Sequence, residues 1–352
     1  MEWLERLFAA NAERLCWLRL DDDRGGILNS TPLSAGQHYY TIRLREMYVR
    51  RARVLWRKLY PMVYSYIRQG ADEENAVAGP GQLKDLGDTN LDRIVNINHR
   101  LAGPTVFRGG EVSMLVGLYT VPGADAARAL LDVVGQIASL GGLTLGTAPQ
   151  IAGVLKGGVE NLLGLDGASL QFGVRDSFFS SAAGTGNPLR PGVYVGINAP
   201  QHSVDAQRMW VKGGRLLHGD DPISGRPYDN HDYILVEVER RDTREDWPSI
   251  PDIAGFEKKF SELLSQRVAS VEEHKSMLAA IWPDFDRAVS TSVHLTDPDK
   301  NMVKRNVEAE LKRRLDVIHN NNPFATRGAT GEASPDYGGQ PQDFDFLTVP
   351  TG

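Results

Sequence analysis

The chain has 352 residues, of which 41% are hydrophobic and 24% charged, with a net charge of −6. That composition is ordinary for a globular protein and excludes a collagen-like or wholly disordered chain, and the acidic balance argues against a dedicated nucleic-acid binder while leaving room for a local basic face. A single cysteine, Cys16, excludes an intrachain disulfide framework and any multi-cysteine zinc site, and points to a reducing, cytoplasmic setting.

The opening stretch carries Glu2, Glu5 and Glu13 and has no basic region leading into an apolar core, so it does not read as a signal peptide. Trp3, Leu4, Leu7, Phe8, Leu15 and Leu18 fall at helical spacing and predict an amphipathic helix over 2–20, ended by Asp21-Asp22-Asp23 and Gly25-Gly26, within a segment 1–36 of helix and linker. Such a helix needs a surface to cover, which makes Trp3, Leu7 and Phe8 candidate partner contacts.

Segment 37–122 reads as β-rich. Within it, 37–68 is expected to hold two strands meeting near Pro61, with a helix over 44–59 as the competing reading. Arg50, Arg51, Arg53 and Arg57 stand beside Trp56 and several tyrosines. Basic groups neutralise phosphate and aromatic faces stack on bases, so this is a candidate single-strand nucleic-acid surface. The competing reading is a solvated basic face over buried aromatics. Residues 70–88 are polar with glycines and predict a loop. Strands are expected over 92–97 and 111–120, with 101–110 as a turn-rich link.

Segment 123–168 is a Gly-rich helical insert. Its 23 positions from Val133 to Leu155 hold no charge, which on length alone would suffice to cross a bilayer. Five glycines and Pro149 in that run lower its helix propensity, so a buried helix, turn and helix is favoured over a membrane-inserting element. Segment 169–247 is β-rich again, with strands at 192–198 and 233–239 and a hairpin at 209–217 around Gly213-Gly214. Segment 248–319 is helical, with helices expected at 253–267, 271–281 and 298–318. The last is announced by Thr296-Asp297-Pro298-Asp299 and studded with charges that read as solvated ion pairs. Segment 320–352 is rich in Gly, Pro and Asn and ends in an apolar peptide. Its Phe344, Phe346, Leu347 and Val349 could fill a groove or add a strand on a partner.

The densest polar constellation joins His218, Asp220 and Asp221 to His231 and Asp232. Imidazoles and carboxylates at this density could bind a divalent ion or trade protons, yet the spacing matches no established metal pattern, and Asp and Gly are also what turns require. Asp220, Glu237 and Glu239 are a further nuclease-like set, in which Arg241 stands where a lysine would be expected. Cys16, between Leu15 and Trp17, reads as a buried inert thiol. Together these features predict an α+β fold with antiparallel β-sandwich-like segments, a Gly-rich helical insert and a C-terminal helical region. The expected function is that of a non-enzymatic structural or adaptor subunit without cofactor or metal, whose partners are other protein subunits, copies of itself included. A metal-dependent hydrolase or nuclease centred on His218, Asp220, Asp221, His231 and Asp232 is the alternative, followed by a membrane-inserting effector acting through 133–155.

Overall fold

The computed structural model describes residues 15–26, 30–50, 53–54, 57–79, 93–122, 169–180 and 187–319. The expected helix residues Trp3, Leu7 and Phe8, the Gly-rich insert 123–168, Arg51, Trp56 and the tail residues Phe344, Phe346, Leu347 and Val349 lie outside the described residues. The fold is mixed α+β with several antiparallel sheets, and the chain divides into two compact units, Met1–Asp242 and Thr243–Gly352.

In the first unit a five-stranded sheet runs β1 (Cys16–Arg19), β10 (Gly192–Ile197), β14 (Tyr233–Arg241), β2 (Tyr39–Tyr48) and β6 (Arg93–Val106), every pairing antiparallel. A six-stranded sheet runs β3 (Arg53–Val54), β4 (Arg57–Gln69), β7 (Val112–Pro122), β8 (Ser169–Phe179) and β9 (Asn187–Pro188). In it β5 (Asp72–Ala78) also pairs with β4, and the short β8–β9 pairing is parallel. A small three-stranded sheet is built from β11 (Met209–Lys212), β12 (Arg215–His218) and β13 (Arg226–Pro227).

The burial pattern follows from which faces are covered. Ile42, Leu44 and Val236 of the five-stranded sheet share one buried cluster with Val63, Val116, Phe172 and Val174 of the six-stranded sheet. On the other face of the five-stranded sheet, Val193, Val195 and Leu235 meet Met209 and Leu216 of the small sheet. Central strands covered on both sides must be apolar at consecutive positions, which is why all six residues of β10 are buried. Glu46, fully buried on β2, fastens the small sheet down: its carboxylate accepts the Leu216 N–H at 2.7 Å.

Several expectations need correction. The predicted helix over 2–20 does not extend through its end, because Cys16–Arg19 is a strand paired with β10 in register Cys16↔Ile197. Cys16, Leu18 and Leu20 belong to one cluster and Leu15 and Trp17 to the other, a period of 2. The strands of 37–68 do not meet at Pro61, which sits inside β4 opposite Thr120. Pairing to β5 starts only at Val63, so no partner on that side asks for the N–H that proline lacks. The helical alternative over 44–59 is overturned at both ends by β2 and β4. The expected loop 70–88 contains β5, joined to β4 by a tight turn with Gly70 at φ +61°. Its polar residues are partly used on β6, since Glu74 accepts the Gly103 N–H at 3.0 Å and the Thr105 hydroxyl at 2.8 Å. The expected link 101–110 is mostly strand, as β6 runs on to Val106. The hairpin at Gly213-Gly214 forms as expected, with φ of +59° and +76° and Lys212 opposite Arg215.

The second unit contains α2 (Pro251–Leu264), α3 (Val271–Thr291) and α4 (Asp297–His319); a short α1 (Asp22–Gly25) lies in the first unit. Ser270 caps α3 by accepting the Glu273 N–H, and Thr296 accepts the Asp299 N–H at the start of α4. Helix α3 does not stop at Ile281, because it carries Pro283 in its interior and continues for two more turns. Phe285 and Val289, fully buried beyond the proline, offset the lost backbone hydrogen bond. The ends of α3 and α4 are tied together by His274 and His319, whose ring nitrogens lie 2.7 Å apart.

Candidate functional site

One concave surface among the described residues is a groove in the helical unit, with a volume of about 200 Å³. Its lining follows from helical periodicity. Ile253, Phe256, Glu257 and Phe260 recur every three or four residues along α2, as do Asn306, Val307, Glu310, Leu311 and Arg314 along α4. Trp247 comes from the turn before α2, and Phe285 from α3. Phe285 forms the floor. Its ring lies edge-on to Phe256 and to Phe260, each at 5.5 Å between centroids, and 5.1 Å from Trp282. Phe260 and Phe285 are buried, whereas Trp247 and Phe256 are half-exposed at the mouth.

The rim is charged. Arg313 grips the Glu310 carboxylate with two nitrogens at 2.7 and 2.8 Å, and Arg314 adds a third bond at 2.8 Å. These two guanidinium groups hold the Glu310 carboxyl down at about 2. The Lys259 ammonium lies 4.8 Å from the centre of the Phe256 ring. An apolar, aromatic-walled slot with a polar rim is suited to receiving an apolar side chain and orienting its backbone. The two carboxylates of the lining, Glu257 and Glu310, stand at the rim with Arg314.

The residues that sequence reasoning put forward lie elsewhere, in the first unit. His218 ends β12 with its ring 6.3 Å from that of Tyr228. His231 places Nδ1 2.7 Å from the Tyr228 hydroxyl, and its imidazole is held below the usual histidine range by burial and by Arg50 nearby. Burial pushes the Tyr228 phenol up to about 12. Asp220 is exposed and pairs with Arg208 at 3.0 Å. Asp221 accepts the Ser224 hydroxyl at 2.6 Å and the N–H groups of Ser224 and Ile223, which together hold its carboxyl below the usual carboxylate range. Asp232 accepts the Arg50 N–H at 2.8 Å and the Asn198 amide at 3.2 Å. His218 and His231 thus each lie beside Tyr228, with ring centroids 6.3 and 6.2 Å from its own, while the three aspartates serve separate local contacts. Among the described residues no group of three or more His, Cys, Asp or Glu is placed to hold a metal ion.

The other candidates are also engaged locally. Glu237 and Glu239 form a cross-strand ladder with Arg43 and Arg45, in which Arg43–Glu239 is 2.9 Å and Arg45–Glu239 3.1 Å. Of the basic aromatic segment, Tyr39, Tyr40, Tyr48, Tyr64 and Tyr66 are buried in the sheets; Arg50 is exposed, and Arg53 and Arg57 lie on β3 and β4. The Cys16 thiol is buried and its pKa raised by that burial, which makes it a poor nucleophile. No helix among the described residues is long and apolar enough to cross a membrane.

Sequence reasoning missed the groove residues themselves. The signal was available in the aromatic content: Trp247, Phe256, Phe260, Trp282 and Phe285 fall within 39 residues. Compared with models of known protein families the chain matches none, and comparison with curated proteins gives no match either.

Proposed function

We propose that the chain is a non-enzymatic adaptor or assembly subunit whose helical unit receives an aromatic side chain from a peptide segment of a protein partner. The observation that carries this reading is the groove itself. Trp247, Phe256, Phe260 and Phe285 wall a slot of about 200 Å³, and an apolar cavity of about 150 Å³ is already enough to take benzene. Aromatic anchors in such slots dominate the energetics of peptide and protein contacts. The cluster shared by the five- and six-stranded sheets supports a β-sandwich-like stacking as the rigid body of such a subunit, and the single buried thiol supports a reducing, cytoplasmic setting.

The test is selection of peptides from a random displayed library on the full chain, repeated on a Val307→Glu chain whose helicity is checked by circular dichroism. The reading expects enriched peptides to share one aromatic position and to lose binding at least tenfold in the variant. A library that returns no aromatic-bearing peptide, or one whose hits ignore Val307→Glu, overturns it.

A further inference from the structure

The six-stranded sheet carries another concavity, of about 180 Å³, lined by charged groups of both signs. Register fixes which side chains reach it. Ile67, Val116 and Val174 belong to the core shared with the five-stranded sheet, so the residues that alternate with them on β4, β7 and β8 point away from that core. Two cross-strand rows result on the far face, Tyr66–Leu115–Arg175 and Arg68–Ser113–Ser177. Glu111, one residue before β7, joins the second row: its carboxylate accepts the Ser113 hydroxyl at 2.8 Å and the Ser177 hydroxyl at 2.6 Å.

We propose that this pocket binds a small free α-amino acid, with the ligand's carboxylate on the guanidinium groups of Arg68 and Arg175 and its ammonium on Glu111. The pocket lies in the first unit, and its ligand is independent of the groove in the helical unit. Charge selects the ligand class. The lining sets two guanidinium groups against two carboxylates, Glu111 and Asp176, a balance that suits a zwitterion better than a simple anion or cation. Asp176 is engaged by the Trp17 and Ser177 N–H groups, so Glu111, which is exposed, is the carboxylate open to a ligand. The Ser177 and Ser113 hydroxyls hold the Glu111 carboxyl below the usual range, and Arg68 and Arg175 add to this through space. A phosphate or dicarboxylate drawn in by the guanidinium groups would meet that negative charge and be repelled. The ammonium of an amino acid makes the same contact attractive.

Donors and size agree with this ligand. The Arg68 guanidinium is half-exposed and makes no hydrogen bond or ion pair among the described residues, which leaves its fork of donors for a carboxylate. Tyr66 supplies a further donor. Its hydroxyl is buried without a partner in hydrogen-bonding geometry, and burial, with the Glu73 carboxylate nearby, keeps the phenol protonated. A cavity of about 150 Å³ takes benzene, so this pocket has room for about seven non-hydrogen atoms. Alanine and serine fall in that range, and Leu115 in the lining offers an apolar contact to their β-carbon.

The experiment is isothermal titration calorimetry of the full chain with L-alanine and L-serine, and with the half-ligands propionate and ethylamine. At least one amino acid is expected to bind with a Kd at or below about 0.1 mM, and each half-ligand about tenfold or more weakly, since each lacks one charge-assisted contact. Arg68→Met should weaken the amino acid about tenfold. Glu111→Gln keeps an oxygen for the two serine hydroxyls and should weaken the amino acid about tenfold while leaving propionate unchanged or tighter. Both positions are at least half-exposed, and melting curves of the variants confirm that each remains folded. Absence of heat from both amino acids up to about 5 mM overturns the proposal, as does propionate binding as tightly as alanine, which would mark a plain anion site. Affinities indifferent to Arg68→Met overturn it too. So does an equal loss of propionate and amino acid in Glu111→Gln, because the carboxylate would then not be reading an ammonium.

Discussion

Trp17 joins the two large sheets, and replacing it by phenylalanine tests that junction. Its ring stacks on Tyr194 at 5.5 Å and 19°, and its Nε1–H donates to the Asp176 carboxylate on β8 at 2.8 Å. Trp17→Phe keeps an aromatic ring for the stack and deletes the donor. A hydrogen bond to a charged group contributes about 1.5–3 kcal/mol net. Asp176 still accepts the Ser177 N–H at 2.8 Å and the Asn187 side chain, so the lower end applies, about 1.5–2 kcal/mol at pH 7. For a unit of this size that lowers Tm by roughly 3–8 °C. The loss also depends on pH. Burial raises the Asp176 pKa above 3.8, and the Trp17 bond partly counters it. Removing that bond lifts the folded-state pKa further, while the unfolded chain still loses its proton near 3.8. Stability therefore declines as pH rises through the window above 3.8, and declines more in the variant. Melting curves of both chains at pH 4 and pH 7 are expected to show the larger deficit at pH 7. A deficit below about 0.5 kcal/mol at pH 7, or one equal at both pH values, would refute the clamp.

Three further substitutions probe other parts. Gly103 has φ +84°, and a Cβ there would run into the Tyr40 carbonyl, so Gly103→Ala should cost at least about 2 kcal/mol in chemical denaturation. Phe285, 1% exposed under Phe256 and Phe260, should cost about 3–5 kcal/mol when replaced by alanine, seen as a lowered midpoint of the helical unit's unfolding. Carboxyl-carbon NMR should find Glu310 titrating at about 2, and Arg314→Ala should move it upward toward the ordinary glutamate range; no movement would show that the Arg314 pair is not populated in solution.

Features set by neighbouring residues are legible in the amino-acid sequence alone. Gly213-Gly214 demands a two-residue turn because only glycine takes positive φ twice without strain, and Thr296 with Pro298 starts a helix because hydroxyl and ring suit its first turn. The alternation in β14 places Val236 and Val238 opposite Glu237 and Glu239, as found. Where short-range rules permit two answers, distant partners choose between them. Cys16–Arg19 fits both a helical and an alternating pattern, and its hydrogen bonds go to β10 some 180 residues away. Asp72–Ala78 is polar enough for a loop, yet its backbone pairs with β4 and Glu74 serves Gly103. The groove lies beyond local reasoning for the same cause. Trp247, Phe285 and Val307 belong to separate elements, and what makes them one surface is helix packing that buries Phe260 and Phe285 while leaving Trp247 and Phe256 at the mouth. Local stereochemistry limits each short segment to a few conformations; burial and hydrogen bonding between remote segments select one of them, and only then does a surface able to bind exist.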